Sequence, residues 1–184
     1  MRLIPQPESM EIFSSVSNCS EITFTEKCES FSSEEYELII EPDKIIARAA
    51  DEKGLFYASV TLNQIKLLYS HLPCLVIKDK PRYKHRGFMI DCARHMFKVG
   101  QLKKMIDLAS QFKFNKFHWH LSDDQGFRIE LDSYPELTEK GSVRKCDEFI
   151  NCKCAKEYSG DYTKKQIKAT WRAISSGRPI INFI

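Results

Sequence analysis

Two groups of polar residues carry most of the chemistry this sequence could perform: Asp91, Arg94 and His95, then His118, His120, Asp123, Asp124, Gln125 and Arg128. An arginine is costly to bury unless it meets a carboxylate or an array of acceptors, and its rigid fork suits bidentate contacts. A polyhydroxylated ligand such as a sugar offers such an array. Asp123 and Asp124 are adjacent, so on an extended backbone they diverge and at most one faces a shared pocket squarely. His118 and His120 alternate with Trp119 and point to the opposite side from it. Their expected role is support, each imidazole holding Asp123 or Asp124 in place.

Two other readings of these residues stay open. On one, Arg94, Asp91 and Asp124 form a structural ion-pair network with no ligand. On the other, His118-x-His120 is a metal pair, as in barrel amidohydrolases. That chemistry needs further ligands, and the remaining histidines are His71, His85 and His95, so no metal is expected. The seven cysteines include the close set Cys146, Cys152 and Cys154, which lacks the paired C-x2-C knuckles of a zinc site. An odd count without a secretion signal reads as reduced thiols in the cytoplasm.

The elements that must position these groups follow from periodicity. Gly87–Asp91 and Lys116–Leu121 read as short strands, with a helix from about Gly100 between them whose apolar face is Leu102, Met105, Ile106, Ala109 and Phe112. A second helix opens at Asp161-Tyr162-Thr163 and runs to about Ser175, with Thr163 as its N-cap. Residues 179–183 read as a third strand. Alternating strand and helix imply a parallel sheet, doubly wound or part of a barrel, and in a barrel the loops after strand C-termini share one face. No glycine-rich nucleotide-binding motif is present.

The first eighty residues have a different pattern, read in order as strand, hairpin, helix and strand. Tyr36–Ile40 and Ile45–Ala49 flank the turn Glu41-Pro42-Asp43-Lys44 as a hairpin. Leu55, Ala58, Leu62, Ile65 and Tyr69 recur at helical spacing, and residues 74–77 form a short buried strand. The result is a small α+β layer with no obvious chemistry.

With 28 basic and 25 acidic residues among 184, the net charge of +3 excludes a disordered acidic tail and argues against a nucleic-acid partner. No apolar run approaches the ~20 residues of a membrane span, and Met1–Pro7 has no signal-peptide core.

Two segments, His85–His95 (HRGFMIDCARH) and Asn115–Glu130 (NKFHWHLSDDQGFRIE), closely resemble the β-N-acetylhexosaminidases of glycoside hydrolase family 20. Leu3–Pro7 and the Asp51–Gln64 stretch resemble that family's accessory domain, and Ser133–Thr138 and Asp161–Thr163 extend the likeness to about residue 168. The resemblance implies a (β/α)8 barrel that removes terminal N-acetylglucosamine or N-acetylgalactosamine from glycoconjugates. It implies substrate assistance, in which the sugar's own 2-acetamido oxygen attacks C1 and no enzyme carboxylate becomes the nucleophile. Arg94 would bind the 3- and 4-hydroxyls, with Asp123 or Asp124 and His120 lining or supporting the pocket. It implies no cofactor.

The sequence also departs from the family pattern. The family's general acid lies in a Gly-Gly-Asp-Glu segment after the fourth barrel strand, and this chain has none. Its two Asp-Glu pairs, Asp51-Glu52 and Asp147-Glu148, fall elsewhere. Phe127 and Val143 stand where the family usually has Trp. The stretch from Arg82 to Ile184 is well short of the ~250 residues of a full barrel. The expectation is an accessory domain at 1–80 and the truncated first part of a catalytic barrel at 81–184, with three strands, no catalytic carboxylate, and no turnover alone. The alternatives are a non-catalytic sugar-binding module or an assembly piece completed by the missing barrel half.

Overall fold

The computed structural model describes residues 2–144, 158–175 and 182–183, and Cys146, Cys152, Cys154 and the Asp147-Glu148 pair lie outside these. The chain divides into two compact units, Met1–Arg86 with Gln111–Lys113, and Gly87–Ser110 with Phe114–Ile184.

The first unit holds strands β1 (Ser9–Val16), β2 (Phe24–Lys27), β3 (Tyr36–Ile40) and β4 (Ile45–Ala49), helix α1 (Glu52–Leu68) and strand β5 (Pro73–Asp79). The sheet order is β1-β5-β3-β4-β2. The hairpin closes through Glu41 N donating to Lys44 O at 2.9 Å, and Ile40 pairs with Ile45. Alternation sends Leu38, Ile40, Ile45, Ala47, Leu75 and Ile77 to one face, where Ala58, Leu62 and Ile65 of α1 cover them, all almost fully buried. Asp51 caps α1 by accepting from Gly54 N at 2.9 Å. The sheet's other face carries a charge row: Glu37 pairs with Lys78 and Arg48, and Arg48 with Glu26.

The helix face differs from the sequence reading at its ends. Tyr57, Val60 and Thr61 join the core, whereas Leu55 is only half buried and Tyr69 is the exposed C-cap. One strand is expected before the hairpin, without bounds, and the structure has two there, β1 and β2. Both are edge strands with nearly every residue exposed, so neither shows the apolar alternation that marks a strand in sequence.

The second unit contains β6 (Gly87–Asp91), α2 (Val99–Gln111), β7 (Lys116–His120), β8 (Ser122–Asp123), β9 (Gly126–Phe127), α3 (Pro135–Gly141), β10 (Val143–Arg144), β11 (Tyr158–Ser159), α4 (Lys164–Ser175) and β12 (Asn182–Phe183). β12, β7 and β6 lie side by side in one parallel sheet. Phe117 and Trp119 on β7 and Ile90 on β6 bury one face against Leu102 and Ile106 of α2, with Cys92 and Tyr162 completing the cluster. The helix buries Leu102, Ile106 and Ser110, a strict i, i+4, i+8 stripe, and leaves Met105 exposed at 37%, while Phe112 lies past its end and is 39% exposed, which corrects the broader face read from sequence. Thr163 caps α4 reciprocally: its Oγ1 accepts from Gln166 N at 3.2 Å, and Gln166 Oε1 accepts from Thr163 N at 2.9 Å. Among the described residues no helix is long and apolar enough to cross a membrane.

Candidate functional site

Parallel pairing brings the two polar groups together. The register sets Asp91, the last residue of β6, beside His120, the last of β7. After β6 the chain makes a tight turn in which Asp91 Oδ1 accepts from Arg94 N at 3.0 Å. After β7 the β8–β9 hairpin carries Asp123 at a paired position and Gln125 in its turn.

Arg94 is the centre. Its Nη1 donates to Asp91 Oδ2 at 2.6 Å, its Nη2 lies 2.7 Å from Asp123 Oδ2, and its Nε donates to Gln125 Oε1 at 2.8 Å. Half of the Arg94 side chain, 49%, stays exposed, against 23% for Asp91 and 22% for Asp123. His120 Nε2 sits 2.9 Å from Asp123 Oδ2, and because an ionised carboxylate only accepts, Nε2 is the donor.

The electrostatics follow from these contacts. The hydrogen bond from His120 holds the Asp123 carboxyl well below the usual carboxylate range, helped by Asp124 and by the charge of Arg94. For Asp91, partial burial pushes upward, but the Arg94 backbone N–H and guanidinium outweigh it and the carboxyl is lowered. Hydrogen bonding to Asp91, then the charges of Asp123 and Asp91, raise the Arg94 guanidinium further. The arrangement is one cation between two carboxylates held ionised at neutral pH, at an open surface. Such a set can exchange hydrogen bonds with neighbouring hydroxyls on a ligand.

Of the residues expected at the site, Asp91, Arg94, His120 and Asp123 come together. Asp124 is exposed and supplies its backbone N–H to Asp123 Oδ1 at 2.8 Å, so Asp123 is the aspartate that faces Arg94. His118 reaches the group only through its ring, 6.0 Å from that of His120 and perpendicular to it at 76°. The sequence places Gln125 in the second polar group but assigns it no role. Its neutral amide carries no signal of its own, and only the hairpin turn aims it at Arg94. Among the described residues no cluster of three or more His, Cys, Asp or Glu has a metal-binding arrangement.

Parallel βα units with their polar residues beyond the strand C-termini define the opening of a (β/α)8 barrel with its active-face loops. Residues 83–172 match the glycosyl hydrolase family 20 catalytic domain, and residues 13–80 match domain 2 of the same family. The chain belongs to glycoside hydrolase family 20. It is 39% identical over 142 residues to a beta-hexosaminidase of Vibrio furnissii, covering 72% of this chain and 23% of that protein. A solved β-N-acetylhexosaminidase superposes with a TM-score of 0.88 at 30% identity, covering 98% of this chain and 39% of its own. The Vibrio harveyi exo-β-N-acetylglucosaminidase in complex with N-acetylglucosamine superposes with a TM-score of 0.84 at 27% identity, over 98% of this chain and 35% of its own. The chain spans about a quarter of the length of the Vibrio furnissii relative.

Proposed function

We propose that this chain is the accessory domain, residues 1–80, and the first part of the catalytic barrel, residues 81–184, of an exo-β-N-acetylhexosaminidase. The whole enzyme removes terminal N-acetylglucosamine or N-acetylgalactosamine from glycoconjugates, and the sugar's 2-acetamido group provides the nucleophile. In this reading Arg94 grips the 3- and 4-hydroxyls of the terminal sugar. Asp123 accepts from those hydroxyls or holds Arg94 against them, His120 fixes Asp123, and Asp91 sets the turn that presents Arg94. His118 and Asp124 border the same face.

The observation that carries this reading is the Arg94 guanidinium held between Asp91 and Asp123, which come from loops after two adjacent parallel strands. A cation already neutralised by two carboxylates has no need of an anionic ligand, and its exposed planar fork matches paired neutral hydroxyls. The 184 residues contain no Gly-Gly-Asp-Glu segment, so they carry no general acid. General acid/base assistance is worth roughly 10²–10⁴-fold, and the isolated chain is expected to turn over no substrate.

The test has two parts. Titration of the chain with N-acetylglucosamine, followed by NMR, should show weak saturable binding that Arg94→Ala abolishes. Hydrolysis of a chromogenic N-acetylglucosaminide by the pure chain should not exceed that of Arg94→Ala. Saturable binding that persists in Arg94→Ala overturns the site, and turnover overturns the assignment of the general acid to another segment.

A second reading, assembly with a separate barrel half, has one observation in its favour. On the face of β6 and β7 opposite α2, Met89 is 54% exposed and His118 is exposed as well. The unpaired thiols of Cys19, Cys28, Cys74 and Cys92 support a reducing, cytoplasmic setting. The function proposed here involves no cofactor, nucleic acid or membrane.

A further inference from the structure

We infer that Arg128 is the positioning residue for Arg94. Arg128 is fully buried, and its guanidinium donates to four backbone carbonyls. Its Nε donates to Cys92 O at 3.1 Å and its Nη2 to Ala93 O at 3.0 Å, while Nη1 donates to Gly160 O at 2.9 Å and to Ser142 O. Burying a cation is costly unless its N–H groups are well satisfied. Carbonyl dipoles converging from three separate stretches of chain meet that need, and the guanidinium ties those stretches together.

Two of the carbonyls belong to the residues that link β6 to Arg94. Cys92 is fixed from both sides, since its N–H donates to His120 O at 2.9 Å while its carbonyl accepts from Arg128. Ala93, immediately before Arg94, is held by Arg128 alone among these contacts. Arg128 is itself anchored on the hairpin that carries Asp123 and Gln125, its N–H donating to Leu121 O at 3.0 Å. One side chain thus sets the loop bearing the guanidinium against the loop bearing its carboxylate.

Gly126 points to the same contact independently. A Cβ there would lie 2.5 Å from Ala93 O and 2.9 Å from Arg128 Nη2. The hairpin backbone approaches Ala93 so closely that any side chain at 126 must displace the carbonyl, the guanidinium, or both.

This inference rests on Arg94 gripping the sugar, but its test does not depend on that reading. The reporter is the Asp91 carboxyl, which accepts from both the backbone N–H and the guanidinium of Arg94 and is lowered by them. Its titration is followed by carboxyl NMR in the full chain and in Arg128→Lys, Arg128→Met and Gly126→Ala. In each variant that keeps its fold, the Asp91 carboxyl should rise toward the ordinary aspartate range, with Arg128→Lys moving it least. N-acetylglucosamine affinity should fall by about tenfold, the scale of one or two hydrogen bonds to a charged group.

A purely structural Arg128 would lower stability and leave Asp91 unmoved in the folded state, and that result overturns the inference. If none of the variants folds, the parent decides. In urea below its unfolding midpoint, exchange of the Arg128 guanidinium protons and the rise of the Asp91 carboxyl should set in together, and an Asp91 carboxyl that stays lowered once those protons exchange freely overturns the inference. If the parent binds no sugar while Asp91 still responds, the sugar-binding reading fails and the positioning role stands.

Discussion

At the residue scale the site depends on one carboxylate. Asp123 accepts from His120 and pairs with Arg94, and the folded state holds it below the usual carboxylate value, as it does Asp91. A carboxyl lowered on folding contributes stability that is present above the unfolded value of ~3.9 and is lost as pH falls through the lower folded value. The clamp should therefore stay intact, and sugar affinity flat, from pH 7 down to about pH 5. Both should fail only below the ordinary aspartate range. Asp123→Asn at neutral pH should reproduce the acid state, weakening N-acetylglucosamine binding by about tenfold. Titration calorimetry at several pH values checks both, and an affinity that declines between pH 7 and about pH 5 would show that another group governs the site. Sequence alone leaves open which of Asp123 and Asp124 serves here, because the choice is made by the register of a two-residue hairpin. It likewise leaves Gln125 without a role, which exists only once Asp124 and Gln125 form the turn.

At the element scale, legibility followed burial. Strands β3, β4 and β6 are found at the residues their patterns indicate, since each buries at least one apolar face or flanks an unambiguous turn. Before the hairpin the sequence indicates one strand without bounds and not two, because an exposed edge strand keeps its backbone pairing without an apolar signature. Close packing writes another kind of signal, a glycine where helix propensity would prefer alanine. Gly54 lies in the first turn of α1, where a Cβ would meet Glu35 O at 2.5 Å and Ala49 Cβ at 2.8 Å. On an exposed helix Gly→Ala stabilises by about 1 kcal/mol. Here the backbone of Glu35 must move, so Gly54→Ala should destabilise by about 1–3 kcal/mol. A lowered urea midpoint at unchanged slope is the expected result, and a raised midpoint would mean that the helix end shifts without cost.

At the scale of the whole molecule the question is what the exposed parallel sheet does in solution. In a closed barrel the inward side chains of neighbouring strands fill one another's space, and no strand has a free edge. Among the described residues the parallel sheet has three strands, with β6 and β12 at its edges. Its second face carries exposed Met89 and His118 beside the charged cluster at the strand ends. The helix-covered face is well packed by Ile90, Phe117, Trp119, Leu102 and Ile106, so the unit holds a core on one side only. Unpaired edges flanking an open apolar position invite association. The chain by itself is therefore expected to self-associate, or to melt broadly at the parallel sheet while the five-stranded unit persists. Light scattering and a thermal scan read at two wavelengths, near-UV for Trp119 and far-UV for the whole fold, separate these outcomes. Co-expression with the complementary barrel strands of a family member should suppress self-association, because those strands pair with the same edges. A monomer with one sharp, reversible transition at both wavelengths would show that the three-stranded sheet is self-sufficient, and the assembly reading would fall with it.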